Sequence, residues 1–309
     1  MQAIQFSARA DHLPGARITE VPRPEPGPGQ LLVRTELTGV GVGLVRMLRA
    51  DAAANPGGEM VGSVVAVGAG VDEGWVGTRV GGVVFESLYA EYVCATPALV
   101  AAIPDDVAAD AALALVRGGL VAMGAVRAAG AVTGKSVLIT GAASGCGHLA
   151  LQLARVAGAF RVVAAVSSAA KFEFVGRCGA DAALTYEQPW PDGIDIVLDG
   201  VGGELVQRGV DILAPHGTVV VFSAGGGAVD TSTLLGGLKT VTGFSMGLPA
   251  RTRPQVIDGD RATLWKLLRE NMIRPQVEVR GWVEMDAVVD SIATRRNLGR
   301  VALSAEGAR

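Results

Sequence analysis

The spacing of apolar residues changes near residue 110 and again near residue 275, and divides the chain into β-rich ends and a mixed middle. In the first part, short apolar or alternating runs such as Leu31–Leu37 are separated by glycine and proline, which predicts strands and turns. Beyond it the apolar period becomes helical, and the tail returns to strand, helix and strand. We therefore predict a β-rich domain over 1–109 and 272–309, and an α/β domain over 110–271.

The α/β domain is predicted to contain a doubly wound parallel sheet, because its short apolar runs alternate with helical patterns that can serve as crossover connections. The predicted strands are Val137–Ile139, Arg161–Val166, Ala183–Thr185, Ile194–Asp199, Thr218–Phe222 and Val241–Phe244. The clearest helical patterns after the first of these strands are Gly203–Leu213 and Arg261–Asn271.

The stretch Ser136–Ala157 reads as a strand, a small-residue turn and a helix, which is the context of a dinucleotide-binding motif. Its diagnostic positions hold Ala142, Ser144 and Gly147 instead of three glycines. Alone, the motif fits an ordinary strand-to-helix turn equally well, and the units that follow it favour nucleotide binding. The turn residues predicted to face a pyrophosphate are Ser144, Gly145 and Cys146.

Composition narrows the function classes. The chain has 309 residues and a formal net charge of −3, which gives no sign of a nucleic-acid partner. Half of its residues are hydrophobic, but the apolar runs break before the ~20 residues that span a bilayer. Met1 leads into a strand-like segment without a basic, apolar leader, so we expect a cytoplasmic protein that does not enter a membrane.

Several motifs follow one another along the chain: P-R-P-E-P-G-P-G-Q-L-L-V-R, G-G-E-M-V-G-S-V-V-A-V-G, Y-A-E-Y-V, V-L-I-T-G-A-A-S-G-C-G, D-I-V-L-D-G-V-G-G and the terminal G-R-V-A-L. Their order and spacing resemble the medium-chain dehydrogenase/reductase superfamily, in its zinc-independent quinone oxidoreductase and enoyl reductase branch. The resemblance implies a GroES-like β-rich catalytic domain, a Rossmann domain, an active site in the cleft between them and frequently a homodimer.

Zinc-binding members of that superfamily carry a cysteine where this chain has Gly41 and a histidine where it has Gly58. A tetrahedral zinc site needs three or four nitrogen or sulfur ligands. The three histidines, His12, His148 and His216, stand in unrelated segments. We therefore predict no metal site.

The end of the second Rossmann strand lacks the Asp or Glu that usually holds the ribose of NAD. Ser167 and Lys171 stand there instead, and they suit the phosphate of NADPH, which a carboxylate would repel. Without the resemblance, a solvated loop with an ordinary surface lysine explains them as well. The resemblance adds Tyr186 beside that phosphate. The remaining residues predicted to lie near the cofactor are Phe222, Phe244, Met246, Asn297 and Arg300.

The resemblance implies reduction, with NADPH, of a C=C bond conjugated to a carbonyl, or of a quinone. Polar residues of the family are replaced at Gly41 and Val121, and the Leu44–Pro56 segment is short. These changes predict a large apolar pocket for a bulky hydrophobic enone or quinone, such as a polyketide-type intermediate. Predicted polar groups of the pocket are Arg46, Ser87, Tyr89 and Arg117.

Arg117 interrupts an apolar helix, where an unpaired charge is costly. It could pair with a carboxylate such as Glu59 or hold a carboxylate of the substrate, since a guanidinium fits either partner. Two other functions remain open: a catalytically silent NADPH-binding or sensor protein, and a non-redox tailoring enzyme that keeps NADPH as part of its structure.

Overall fold

A computed structural model of the chain describes residues 1–9, 12–51 and 55–305. The chain forms two compact units. The β-rich unit contains Met1–Arg117 and the segment that begins at Val277, and the parallel-sheet unit is Gly118–Gln276. Both boundaries lie a few residues later than the predicted 109/110 and 271/272. The reason is that helix Ala109–Leu113 packs on strands of the β-rich unit, although its apolar period already reads as helical.

The β-rich unit contains a two-stranded antiparallel ribbon, β1–β2, and a seven-stranded sheet of order β14-β15-β3-β4-β5-β7, in which β6 pairs with β3. Apart from the parallel pair β14–β15, the strands run antiparallel. The core between sheet and helices includes Leu31, Met60 and Trp282. The strands are β1 (Gln2–Arg9), β2 (His12–Glu20), β3 (Leu31–Val40), β4 (Gly58–Val67), β5 (Arg79–Val84), β6 (Tyr92–Ala95), β7 (Val100–Ala102), β14 (Val277–Gly281) and β15 (Arg300–Ser304), and the helices are α1 (Val42–Ala50), α2 (Ala109–Leu113) and α10 (Met285–Ala293).

The parallel-sheet unit is built on six parallel strands in the order β10-β9-β8-β11-β12-β13. This arrangement confirms the predicted α/β fold, with its GroES-like β-rich domain and its doubly wound Rossmann sheet. The strands are β8 (Ser136–Thr140), β9 (Arg161–Val166), β10 (Ala182–Thr185), β11 (Ile194–Asp199), β12 (Leu213–Val221) and β13 (Thr240–Gly243). The helices are α3 (Leu120–Ala128), α4 (Gly147–Val156), α5 (Phe172–Arg177), α6 (Glu204–Asp211), α7 (Ser232–Leu235), α8 (Gly247–Thr252) and α9 (Pro254–Arg269).

Two helical segments differ from the prediction. The segment after β3 forms α1, which buries Leu44, Val45 and Leu48 on one side although glycines flank its start. Helix α9 begins at Pro254, several residues before the predicted start, because proline is favourable in the first helical turn.

A continuous helical stretch, Ala109–Ala128, includes a π-helical turn at Ala114–Gly119. Its length and its mean hydropathy of 1.5 are sufficient to cross a membrane, which the sequence pattern did not lead us to expect. However, 67% of its apolar window is buried inside the protein, as in the core helix of many soluble folds. The stretch is therefore weak evidence for a membrane span.

Candidate functional site

The turn between β8 and α4 has the close backbone packing that a dinucleotide motif requires. Gly141 has a φ of 63°, in the region that favours glycine. A Cβ at Gly147 would collide with the carbonyl oxygen of Gly141, so only glycine lets α4 begin this close to the turn. Ser144 Oγ accepts a hydrogen bond from the Gly147 N–H at 3.0 Å and fixes the first turn of α4. The positive end of the α4 dipole therefore lies at the carboxyl end of β8, where an anion is stabilised.

The carboxyl ends of β9 and β10 adjoin this turn. Ser167 follows β9, and Lys171 ends the short helical turn that begins two residues later. Tyr186 follows β10; its N–H donates to Val166 O at 3.0 Å, and its hydroxyl accepts from the Gly141 N–H at 3.2 Å. The structure thus places Tyr186 between the end of β9 and the small-residue turn.

Two phenylalanines predicted to lie near the cofactor stand at the carboxyl ends of β12 and β13. The ring of Phe222 packs on Gly200, and the ring of Phe244 packs on Gly124 of α3, where a Cβ would overlap each ring. Met246 follows as the residue preceding α8. Both rings therefore lie within the parallel-sheet unit, at the carboxyl ends of β12 and β13.

His148, in the first turn of α4, is fully buried. Its Nδ1 lies 2.9 Å from Ser144 O, and its Nε2 accepts the backbone N–H of Gln276 at 3.0 Å. These partners require a neutral ring, protonated at Nδ1. Burial lowers the pKa of His148 to about 4, although the hydrogen bond to Ser144 opposes this shift. His148 therefore joins the small-residue turn to the end of the parallel-sheet unit as a neutral side chain, a role that the sequence did not reveal.

A cavity of about 200 Å³ lies within the β-rich unit, at the ends of β3, β4 and β5 and beside α1. Its walls are mainly glycine and apolar side chains, and Glu59, Tyr89 and Arg117 are its polar members. The full lining consists of Gly39, Gly41, Gly43, Leu44, Met47, Gly57, Gly58, Glu59, Val83, Val84, Phe85, Tyr89 and Arg117.

Glu59 is the electrostatic centre of this cavity. Its carboxylate is buried and takes two guanidinium groups: Oε1 forms an ion pair with Nη2 of Arg300, and Oε2 lies 3.4 Å from Nη1 of Arg117. The side chain of Arg300 is 10% exposed, whereas that of Arg117 is 48% exposed. The structure therefore shows the pairing of Arg117 with Glu59, and it leaves a substrate partner for Arg117 open.

The glycines of the cavity wall accommodate Arg300. A Cβ at Gly39 would overlap Nη2 of Arg300 and lie 2.7 Å from Cγ of Glu59, and a Cβ at Gly41 would lie 3.0 Å from Nη1 of Arg300. Burial lowers the pKa of Arg300 to about 10, so this guanidinium remains charged at neutral pH. The absence of side chains at Gly39 and Gly41 thus leaves room for a buried cation.

Tyr89 is a structural member of the same wall. Its hydroxyl donates to the carbonyl of Gly39 at 3.0 Å. Burial raises the pKa of Tyr89, an effect that the positive charge of Arg117 partly opposes. Tyr89 is therefore neutral at physiological pH.

The other predicted residues of the β-rich unit lie outside the cavity lining. Ser87 is exposed, and its N–H and Oγ bond to Asn55 at 3.0 and 2.8 Å. Arg46 is exposed on α1, Asn297 bonds to Gly299 O at 3.3 Å, and Arg300 pairs with Glu59 rather than lying at the surface. Their predicted roles in substrate or cofactor binding stay predictions.

The large apolar pocket predicted for the cleft between the two domains stays a prediction, because this cavity belongs to the β-rich unit alone. Typical ligand pockets measure about 300–1,000 Å³, and this cavity of about 200 Å³ is smaller. The Leu44–Pro56 segment contains most of α1, and its residues 52–54 lie outside the described ones. Among the described residues, no group of three or more His, Cys, Asp or Glu side chains could hold a metal ion.

Residues 145–259 match the family described as zinc-binding dehydrogenase. The chain is 32% identical over 242 residues to prostaglandin reductase-3 of Bos taurus, covering 73% of this chain but only 61% of that protein. It is 30% identical over 263 residues to a probable quinone oxidoreductase of Schizosaccharomyces pombe, covering 80% and 79% of the two chains. The structure of a mycobacterial protein complexed with NADPH matches with a TM-score of 0.86 and 28% identity, over 98% of this chain and 100% of that chain.

Proposed function

The chain belongs to the medium-chain dehydrogenase/reductase superfamily, in its zinc-independent quinone oxidoreductase branch, and on that premise we propose that it is an NADPH-dependent reductase of conjugated carbonyl compounds or quinones. The observation that carries this proposal is the cavity of the β-rich unit, whose apolar wall holds one half-exposed cation, Arg117. Such a wall suits a flat, uncharged ring or enone with a single polar end. The names of the two relatives, a prostaglandin reductase and a quinone oxidoreductase, support the same reaction class.

The parallel-sheet unit fits the cofactor. Gly141 and Gly147 form a cradle that a Cβ would fill, and α4 begins directly behind it. The complex of the mycobacterial relative with NADPH supports this choice of cofactor. When bound, NADPH supplies a hydride, and a proton from solvent completes the saturation of the C=C bond. Ser167, Lys171 and Tyr186 would hold the phosphate that distinguishes NADPH from NADH.

We expect NADPH to bind at least about tenfold more tightly than NADH, a difference of roughly 1.4 kcal/mol. The reason is that residues 167–171 offer two serines and a lysine but no carboxylate. Fluorescence titration of both cofactors measures the preference, and Lys171→Ala should reduce it. The matched control is Lys266→Ala on the exposed side of α9. Equal affinities in the wild type, or an unchanged preference in Lys171→Ala, would contradict the assignment.

The substrate class is tested with a panel of enones, enoyl esters and quinones. Turnover of each compound is measured as the oxidation of NADPH. We expect turnover that persists after treatment with a strong chelator, because Gly41 and Gly58 stand at the family's zinc-ligand positions. The cavity itself is small, but exposed Phe85 and Met47 form an apolar rim over which a bulky hydrophobic substrate, such as a polyketide-type intermediate, would extend. If no compound of the panel oxidises NADPH, a silent NADPH-binding protein becomes the better proposal.

We also propose a homodimer formed through the edge of the parallel sheet. Strand β13 is the last strand on that side, and Leu235 and Leu238 nearby are 77% and 66% exposed. An edge strand flanked by apolar side chains is a ready site for pairing with a second copy.

A cytoplasmic location of the protein remains a proposal as well.

The dimer is tested by light scattering coupled to size exclusion. The double variant Leu235→Lys/Leu238→Lys should elute as a monomer, because two charges would be desolvated at the proposed interface. Phe160→Lys, at an equally exposed position far along the chain, serves as control and should leave the wild-type mass unchanged. A monomeric wild type would rule out the proposed dimer.

A further inference from the structure

The charges around the cavity of the β-rich unit do not cancel. One buried carboxylate, Glu59, faces two guanidinium groups, Arg117 and Arg300, and the buried hydroxyl of Tyr89 is neutral. The cluster therefore carries one net positive charge. Because its surroundings are largely buried and apolar, this charge is less screened than a charge at the open surface.

The two arginines occupy different positions in the cluster. Arg300 is buried behind Gly39 and Gly41, and its Nε has no hydrogen-bond acceptor among the described residues. Arg117 reaches Glu59 through Nη1 alone, and its side chain is half-exposed and lines the cavity. A guanidinium has five N–H donors, so Arg117 can stay paired with Glu59 and still donate to a bound molecule.

Arg117 is also the one positively charged residue among the described residues that line the cavity. The rest of the lining is glycine or apolar apart from Glu59, which would repel an anion, and Tyr89, whose hydroxyl already donates to Gly39 O. Among the side chains of this lining, Arg117 is therefore the favourable partner for an oxygen atom that gains negative charge.

We propose that Arg117, held in place by Glu59 and supported by the charge of Arg300, is the oxyanion-binding residue of this cavity. It donates to the carbonyl oxygen of the substrate and stabilises the negative charge that develops there when the conjugated C=C bond is reduced. This inference rests on the proposed reductase function. Preorganised donors aimed at a developing charge are among the strongest contributions to catalysis.

The test uses a phenolate as a stable mimic of the enolate and needs neither cofactor nor turnover. Para-nitrophenol titrates near neutral pH, and its phenolate absorbs in the visible, so binding and ionisation are measured together. The wild type should bind the phenolate at least about tenfold more tightly than the phenol, which appears as a decrease of about one unit in the apparent pKa of the probe. Arg117→Gln should bind the two forms within about twofold, since the positive charge of the guanidinium is lost and only a neutral amide donor remains.

Three comparisons make the result specific. Arg117→Lys keeps the charge and should show an intermediate preference. Arg49→Gln removes an exposed arginine of α1 outside the cavity lining and should behave as wild type. Para-nitroanisole, which cannot ionise, should bind wild type and Arg117→Gln alike, and this shows that the variant is folded and its cavity intact.

An unchanged phenolate preference in Arg117→Gln overturns the proposal. Para-nitrobenzoate, which carries a carboxylate, is titrated in the same way. If its binding alone depends on Arg117, the proposal is also overturned, and Arg117 is an anchor for a substrate carboxylate instead. A wild type that shows the phenolate preference but reduces no enone or quinone keeps the oxyanion site and contradicts only the proposed function.

Discussion

Replacing Glu59 by glutamine is expected to lower the free energy of unfolding by about 3–5 kcal/mol. The change removes the counter-charge of Arg300, which is buried, and leaves its guanidinium unpaired inside the β-rich unit. Urea denaturation of wild type and variant measures the loss. Glu20→Gln at an exposed position is the matched control and should stay within about 0.5 kcal/mol of the wild type.

A second substitution identifies the cause. Adding Arg300→Met to Glu59→Gln removes the unpaired charge and should recover most of the lost stability, because buried ion pairs can be replaced by apolar residues at little cost. A loss below about 1 kcal/mol for Glu59→Gln alone, as for surface ion pairs, would show that the pair is not buried in solution. The same would follow if the double variant were no more stable than the single one.

Acidification from pH 7 to pH 4 is expected to cost about 3 kcal/mol of stability through His148 alone. The pKa of His148 is lowered to about 4 in the folded protein by burial, against 6.5 for an unperturbed histidine. Between these values the unfolded chain binds a proton that the folded protein does not, so stability falls as the pH decreases through this window. The stability that neutral His148 contributes is fully present above pH 6.5 and is lost as the pH falls towards about 4. Below about pH 4 it decreases no further.

Urea midpoints measured across this pH window test the role of His148. His148→Gln, whose side-chain oxygen can still accept the Gln276 N–H, should flatten the pH dependence by most of that amount. The exposed His216 provides the control, since His216→Gln should keep the wild-type slope. A slope that is the same in His148→Gln and wild type would mean that other groups cause the acid sensitivity.

The parallel sheet was predictable from the sequence because its strands are buried on both faces. Buried parallel strands are continuous apolar runs, and for Arg161–Val166 and Ile194–Asp199 the predicted bounds equal the observed ones. Helix α1 was missed because Gly41 and Gly43 at its start are poor helix formers, and burial of Leu44 and Leu48 outweighs that preference.

The candidate site was predictable from the sequence only where its residues are close together along the chain. The turn from Gly141 to Gly147 shows its function through residue type and spacing. The charged cluster joins Glu59, Arg117 and Arg300, which are far apart along the chain. Glu59 was one of the two partners expected for Arg117, because an arginine in an apolar helix needs a counter-charge. The contact between Arg300 and Glu59 depends on how β15 pairs with β3, which no local pattern reveals.

The absence of a side chain at Gly39 has a consequence for sequence variation. Any L-amino acid there would place its Cβ against both the Arg300 guanidinium and Cγ of Glu59. Residues 39, 59 and 300 are therefore expected to change together during evolution rather than independently. A homologue with alanine at position 39 should therefore lack the glutamate at position 59 or the arginine at position 300. The combination of glycine, glutamate and arginine at these three positions then identifies the chains that share this charged wall.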